Sequence, residues 1–193
     1  MVARKPADAA TECGLPPASA LEVCMPGPIT RYLTDDHDRL DALLRRALAR
    51  PGEVDREPFD AFRAGLLRHI GLEEKILLPA ARLARGGEPL PLARRLRIDH
   101  GAITSLLVPT PTATIGAELR TILEPHNVVE EEPGGLYETC DTLLADQATE
   151  LVARMEACPA PKLNRYQDGP HVHRTAASAL ASSARQFDRK PPF

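Results

Sequence analysis

In the stretch HIGLEEKILLP, residues 69–79, a histidine and a glutamate stand four apart among Ile70, Leu72, Ile76, Leu77 and Leu78. Residues i and i+4 share one face of a helix, so His69 and Glu73 point into the same core. A buried carboxylate is costly unless it is paired or bound to a metal. The same spacing recurs in His126 with Glu130, and His37 and His100 stand alone in apolar surroundings. Imidazole and carboxylate are both metal donors, so the chemistry these residues offer together is cation binding.

The spacing alone is weak evidence, because acids are 27 of 193 residues and the chain has six histidines. A lone histidine on an apolar face is usually a satisfied core side chain. A lone glutamate at a stripe edge usually snorkels to water. What carries weight is the distribution: one histidine on each of four apolar stripes, with two carboxylates beside them. Separate explanations would need several independent exceptions to the cost of burying polar groups, and one metal centre removes them all.

The elements that must position these residues break at Pro and Gly. Helical pieces are predicted over about 28–49, 55–85, 89–107, 113–131 (with Pro125 inside) and 134–157. The first has Ile29, Leu33, His37, Leu40, Leu44 and Leu48 on one face. The second has Phe59, Phe62, Leu66, His69, Glu73, Ile76 and Ala80. The third has Leu92, Leu96, His100, Ile103 and Leu107, and the fourth has Ile115, Leu119, Ile122, His126 and Glu130. This is helical period throughout, with no competing strand pattern. It predicts an all-α fold: an antiparallel up-and-down four-helix bundle with a fifth C-terminal helical segment and flexible tails. The domain is expected over 28–158. Residues 1–27 and 159–193, rich in Pro, Gly, Ser and Ala, read as tails, with a short helix around TAASALASSARQF.

Six donors are too many for one tetrahedral zinc and suit two ions bridged by carboxylates. Four imidazoles, two bridging carboxylates and an oxo or hydroxo bridge leave about two positions open on two six-coordinate ions. Those positions suit O2, NO or peroxide. A histidine-rich, carboxylate-bridged pair argues for two Fe ions rather than the Glu-x-x-His sites of ferritin-like bundles.

Other polar residues have blander readings. Asp41, one turn after His37, lies beside the stripe, as a solvated residue or one supporting the site from outside it. Glu74 and Glu131 each follow a proposed ligand and should turn toward solvent, although Pro125 can shift the helix phase near Glu131 and leaves open whether Glu131 replaces Glu130. His171 and His173 read as an exposed tail. Arg82, Arg85, Arg94, Arg95 and Arg97 read as solvated helix faces.

Composition fits a globular chain of this length with a real core. Hydrophobic residues are 43%, aromatics 4%, with no Trp, which favours aliphatic helix packing over a β-sandwich. A formal charge of −3 gives no electrostatic reason to expect nucleic acid or an anionic membrane. Cys13, Cys24, Cys140 and Cys158 form no C-x-x-C pair and suggest neither disulfides nor zinc. MVARKPADAATECG has no apolar core of a signal peptide, so a cytoplasmic setting is expected.

With these motifs in view, the chain resembles the hemerythrin-like, or HHE cation-binding, family over roughly residues 28–157. The segments that carry the likeness are TDDHDRLDALL, HIGLEEKILLP, DHGAITSLL and LEPHNVVEEE, in family order. The resemblance implies a four-helix bundle around a di-iron centre. His37, His69, His100 and His126 would be terminal ligands, and Glu73 and Glu130 bridges.

Two departures stand out. Oxygen-carrying hemerythrins have a fifth histidine one turn before the residue matching His100; here it is Leu96. That makes simple O2 storage less secure and brings the chain closer to relatives linked to iron–sulfur repair, NO response and iron or oxygen sensing. The repair proteins usually carry an N-terminal cysteine-containing domain, for which the segment holding Cys13 and Cys24 is too short. Second, EEEPGGLYETCD interrupts the helix after Glu130. A kink or break is predicted there, with Tyr137 either packed at a helix start or leaning toward the site as a hydrogen-bond donor or gate.

The leading expectation is a non-haem di-iron protein that binds or senses O2 or NO, or handles iron. A redox enzyme, peroxidase-like or reducing NO or O2, is the alternative. A structural bundle with degenerate metal binding is the third reading, and the intact six-donor set counts against it.

Overall fold

The computed structural model describes residues 25–189. Cys13, Cys24, nearly all of the N-terminal segment expected as a tail, and residues 190–193 lie outside that span. All regular structure among the described residues is helical. Helix α1 is Pro28–Ala47 and α2 is Arg56–Leu72. Helix α3 is Leu78–Ala84, α4 is Ala93–Leu106 and α5 is Ala113–Glu131. Helices α6, Leu136–Leu143, and α7, Ala148–Glu156, flank a short 3-10 turn, and α8 is Ala176–Arg189. None of these helices is long and apolar enough to cross a membrane.

Helices α2 and α3 are joined without a break by a π turn, Glu73–Leu77, in which the Leu78 amide bonds the Glu73 carbonyl five residues back. Its cause is legible in the sequence. Pro79 has no amide hydrogen, and its ring crowds the carbonyl four residues earlier. Widening the turn relieves that conflict. The extra residue shifts the buried stripe by one: Leu77, Leu78 and Ala81 are buried, whereas Ile76 and Ala80, expected on the stripe, are only half-buried. Such turns recur at functional sites, and this one begins at Glu73.

The core has two apolar layers. One gathers Leu33, Leu72, Leu96, Val129, Leu136 and Met155, and the other Leu40, Leu66, Phe62, Ile103 and Ile122. Each layer-crossing helix carries its histidine between them. Along the chain, α1 passes from Leu33 to Leu40 through His37, and α2 returns from Leu66 to Leu72 through His69. Helix α4 passes from Leu96 to Ile103 through His100, and α5 returns from Ile122 to Val129 through His126.

The fifth predicted segment is divided into α6 and α7, and the break before it falls at Pro133-Gly134-Gly135. Gly134 has φ +77°, the left-handed region that glycine enters without strain. A Cβ on Gly135 would lie 2.7 Å from the carbonyl oxygens of Val129 and Glu132. Only glycine lets the chain double back this tightly. Asp141 of α6 then caps α1, accepting from the amides of Ile29 and Thr30 at 2.9 Å each. Carboxylates suit this end of a helix, and α6 is thereby pinned across the bundle.

The span expected as a C-terminal tail runs differently over its described part. Asn164 accepts from Arg63, the Gln167 amide bonds the Val108 carbonyl at 3.0 Å, and Tyr166 donates to Asp60 with the Arg63 guanidinium stacked on its ring. The helix anticipated around TAASALASSARQF is α8, which packs on α4 through Ala176, Ala179 and Ser183. Small side chains on its buried face allow close helix contact.

Candidate metal centre

Between the two apolar layers lie six polar side chains that burial would penalise: His37, His69, Glu73, His100, His126 and Glu130. Both glutamates are fully buried, and none of the histidines exceeds 6% exposure. The structure brings together all six candidate residues. Donor atoms of Glu73, His100, His126 and Glu130 lie within 4.8 Å of one another, as do those of His37, His69 and Glu130.

The arrangement has two halves. In one, His69 Nε2 is 3.4 Å from Glu73 Oε1 and His37 Nε2 is 3.5 Å from Glu130 Oε2. In the other, His100 Nε2 is 3.1 Å from Glu73 Oε2 and His126 Nε2 is 3.2 Å from Glu130 Oε1. Each carboxylate therefore offers one oxygen to each half. Edges of this length are those of an ion with bonds of about 2.1 Å.

The donors fit a cation better than they fit one another. Glu73 Oε2, His100 Nε2 and Glu130 Oε1 are buried without any hydrogen-bond partner. They are close, yet not aligned for hydrogen bonding. Orphaned buried polar atoms are rare and call for an explanation. A shared cation satisfies all three.

Outside this layer, every histidine meets a carboxylate through Nδ1. His69 faces Asp36 at 3.0 Å, His100 faces Glu74 at 2.8 Å, His126 faces Asp99 at 3.4 Å, and His37 faces Glu131. An Nδ1–H held by a carboxylate fixes the ring and turns Nε2 inward, as metal-binding histidines require. The four acids form a ring: α1 supports α2, the π turn supports α4, α4 supports α5, and α5 supports α1. Glu74 and Glu131 were expected to turn to solvent. Instead Glu74 also accepts from Arg97 at 2.9 Å, so Arg97 borders the site rather than a solvated face. Glu131 stands on the outer side of His37, and Glu130 is the inner donor. Asp41 pairs with Arg45 instead of joining the ring. His171 and His173 lie outside the cluster. The signal for the ring was present: each of its acids is adjacent in sequence to an inner donor.

The charges follow from this packing. Burial alone would lower His69, but the charge of Glu73 and the Asp36 hydrogen bond overcome it and raise the imidazole to about 10. His100, likewise penalised by burial, is lifted to about 10 by Glu73 and Glu74. His126 is lifted to about 9 by Asp99 and Glu130. Burial opposes ionisation of Glu73, yet His69 and His100 hold it well below the usual carboxylate range.

A further residue reaches the cluster. Tyr137, fully buried at the start of α6, donates from Oη to Glu73 Oε1 at 2.8 Å and Glu130 Oε2 at 3.1 Å. Burial first, and then these two carboxylates, hold its phenol well above the ordinary value. Of the two readings of Tyr137, the one that leans toward the site describes it.

A cavity of about 360 Å³ reaches His37; Leu40, Leu44, Phe62 and Leu66 line it together with charged side chains such as Arg45, Arg120 and Glu124. An open cleft between α4 and α8 reaches the outer side of His100 and Glu74. Cys140 is a buried, free thiol pushed up to about 12 by burial, Asp141 and Glu73.

No curated protein and no solved structure matches the chain. A family model described as the hemerythrin HHE cation-binding domain matches residues 29–133, over half of the sequence and all six inner donors. The chain belongs to the hemerythrin HHE cation-binding family.

Proposed function

We propose that the chain is a non-haem di-iron protein that binds or senses a diatomic, O2 or NO, or handles iron. The observation that carries this reading is the division of Glu73 and Glu130, each with one oxygen toward His37 and His69 and the other toward His100 and His126. In this reading the four histidines are terminal ligands and the two glutamates are bridges. The alternating passage of α1, α2, α4 and α5 between the two apolar layers supports an antiparallel up-and-down four-helix bundle as the frame.

Bound iron supplies redox-active, Lewis-acidic positions at which a small ligand can bind. The chain does the rest. Asp36, Glu74, Asp99 and Glu131 orient the imidazoles and keep them basic. Leu72, Leu96 and Ile103 exclude water on both sides of the layer. The cavity beside His37, lined in part by Leu40, Leu44 and Leu66, offers a small ligand a way to the layer.

The positions that six protein donors leave open on two ions also suit a second reading: a redox enzyme that reduces peroxide, NO or O2. Turnover with a chemical reductant separates the two.

The deciding experiment measures metal content per chain on aerobically purified protein, with the visible spectrum of the same sample. Two irons per chain, with a spectrum that responds to NO or O2, is the expected result. One zinc, or no metal even after anaerobic Fe(II) loading, overturns the reading.

A further inference from the structure

The hydroxyl of Tyr137 does more than touch two carboxylates. It also lies 3.3 Å from His37 Nε2 and 3.3 Å from His69 Nε2. Glu73 Oε1 and Glu130 Oε2 are its two carboxylate partners. The oxygen thus stands among the donors that an ion of that half would bind: His37, His69 and Glu130, which cluster together, and Glu73, which approaches His69 at 3.4 Å. No equivalent hydroxyl stands in the other half, where three donor atoms are without a partner.

An ion with bonds of about 2.1 Å to the same four atoms cannot share the point where the oxygen now sits. The side chain has little room to leave. Tyr137 is 0% exposed, its ring belongs to the apolar layer of Leu33, Leu72 and Leu136, and its helix is pinned by Asp141 on α1. An oxygen displaced along the ring axis remains the nearest further donor to that ion.

We propose that Tyr137 is itself a ligand, binding the cation of His37 and His69 through its phenolate oxygen. This rests on reading the six inner donors as a two-ion centre. On loading, the phenol O–H bond breaks, the oxygen keeps the electron pair and gives it to the cation, and the proton leaves to solvent. Nothing is oxidised or reduced. A hard anionic oxygen suits iron(III).

The consequence is a lopsided pair. The ion of His37 and His69 gains a donor, and the open positions fall to the ion of His100 and His126. That second ion is also the one beside Leu96, one turn before His100. Tyr137 lies beyond residue 133, where the family match ends, so the extra ligand belongs to this chain's own C-terminal segment.

The test is resonance Raman and visible absorption on the full chain, loaded with Fe(II) without air and then oxidised by air. A phenolate-to-iron(III) charge-transfer band with enhanced tyrosinate ring modes is expected. Ring-deuterated tyrosine should shift those modes, without any need for a variant. Tyr137→Phe should keep its iron and lose the band, which also excludes Tyr32 and Tyr166 as the source. Iron-loaded wild-type protein without the band, or a band that survives in Tyr137→Phe, overturns the ligand and leaves a tyrosine that only donates hydrogen bonds. A chain that takes up no iron overturns the metal centre itself.

Discussion

Glu74 Oε1 lies 2.8 Å from His100 Nδ1, while its neighbour Glu73 faces Nε2 of the same ring at 3.1 Å. Two adjacent acids thus grip opposite ends of one imidazole, one at the inner layer and one outside it. Glu130 and Glu131 hold His37 in the same way from the regular helix α5, so the grip belongs to the adjacent acids and not to the π turn that begins at Glu73. Glu74→Ala is therefore expected to weaken metal binding about 10–100-fold, as loss of an outer carboxylate does elsewhere. Asp41→Ala, which removes an acid paired only with Arg45, should leave affinity unchanged. Competition against a chelator of known affinity reads both, and equal effects would show that the outer ring does not orient the ligands.

Protons and cations compete for the same nitrogen atoms. His69, His100 and His126 have folded values of about 9–10 against an ordinary 6.5. Their stabilising contribution to the metal-free chain is complete below pH 6.5 and is lost as pH rises through 9–10. Glu73 is shifted the other way, so its contribution is present above about pH 4.5 and is lost as pH falls further. Metal-free protein in chelator should thus melt at a lower temperature at pH 10 than at pH 7. Metal affinity should rise across the same window. At pH 7, loading should release up to three protons from these histidines, read by calorimetry in buffers of different ionisation enthalpy. Loading without proton release would mean that the histidines are neutral in the metal-free chain.

The turn at Pro133-Gly134-Gly135 holds Tyr137 on the site, and it can be broken in two ways. Gly135→Ala puts a Cβ 2.7 Å from two carbonyl oxygens and 2.9 Å from that of Glu130. Backbone must move, so both melting temperature and iron retention should fall. Asp141→Ala removes the cap that α6 supplies to α1 and should cost about 1–2 kcal/mol. For a chain of this size that is a drop of about 2–8 °C. An unchanged melting temperature in Asp141→Ala would show that α6 is not held by this contact.

Most of the inner site was legible because its signals are local. A histidine on each apolar stripe, and a glutamate one turn after two of them, survive any reasonable packing of the helices. The outer ring was not legible for the opposite reason. Glu74 and Glu131 read as solvent-facing because an ideal helix turns each residue about 100° from the last, and each instead reaches the outer nitrogen of a histidine on another helix. Asp36 and Asp99 sit beside His37 and His100 in sequence, but each serves a histidine on another helix, and spacing along one helix does not reveal that pairing. Helix α8 was expected only as a short helix within a tail, because the flanking Pro, Ser and Arg marked residues 159–193 as a linker, and composition does not show that Ala176, Ala179 and Ser183 pack on the bundle.

That last helix has a consequence for the centre. Its Ser183, Gln186 and Phe187 form the far wall of the cleft whose near wall is Glu74, Arg97 and His100. Asp188 pairs with Arg94 at 2.8 Å and keeps the wall in place. Ala179 is fully buried against the bundle, so Ala179→Asp forces a carboxylate into an apolar contact and should release α8. Ala176, Ala179 and Ser183 lose their burial together with the half-buried Leu180 and Phe187, so the stability cost is about 3–5 kcal/mol, while the helices that hold the metal keep their own core. What changes is access: the outer side of His100 opens to water and to chelators. Iron should be stripped faster from Ala179→Asp than from the wild type, while the metal content of freshly loaded protein is the same. Equal stripping rates would show that metal leaves by the cavity beside His37 instead, and Leu44→Trp, which narrows that cavity, should then be the variant that slows it.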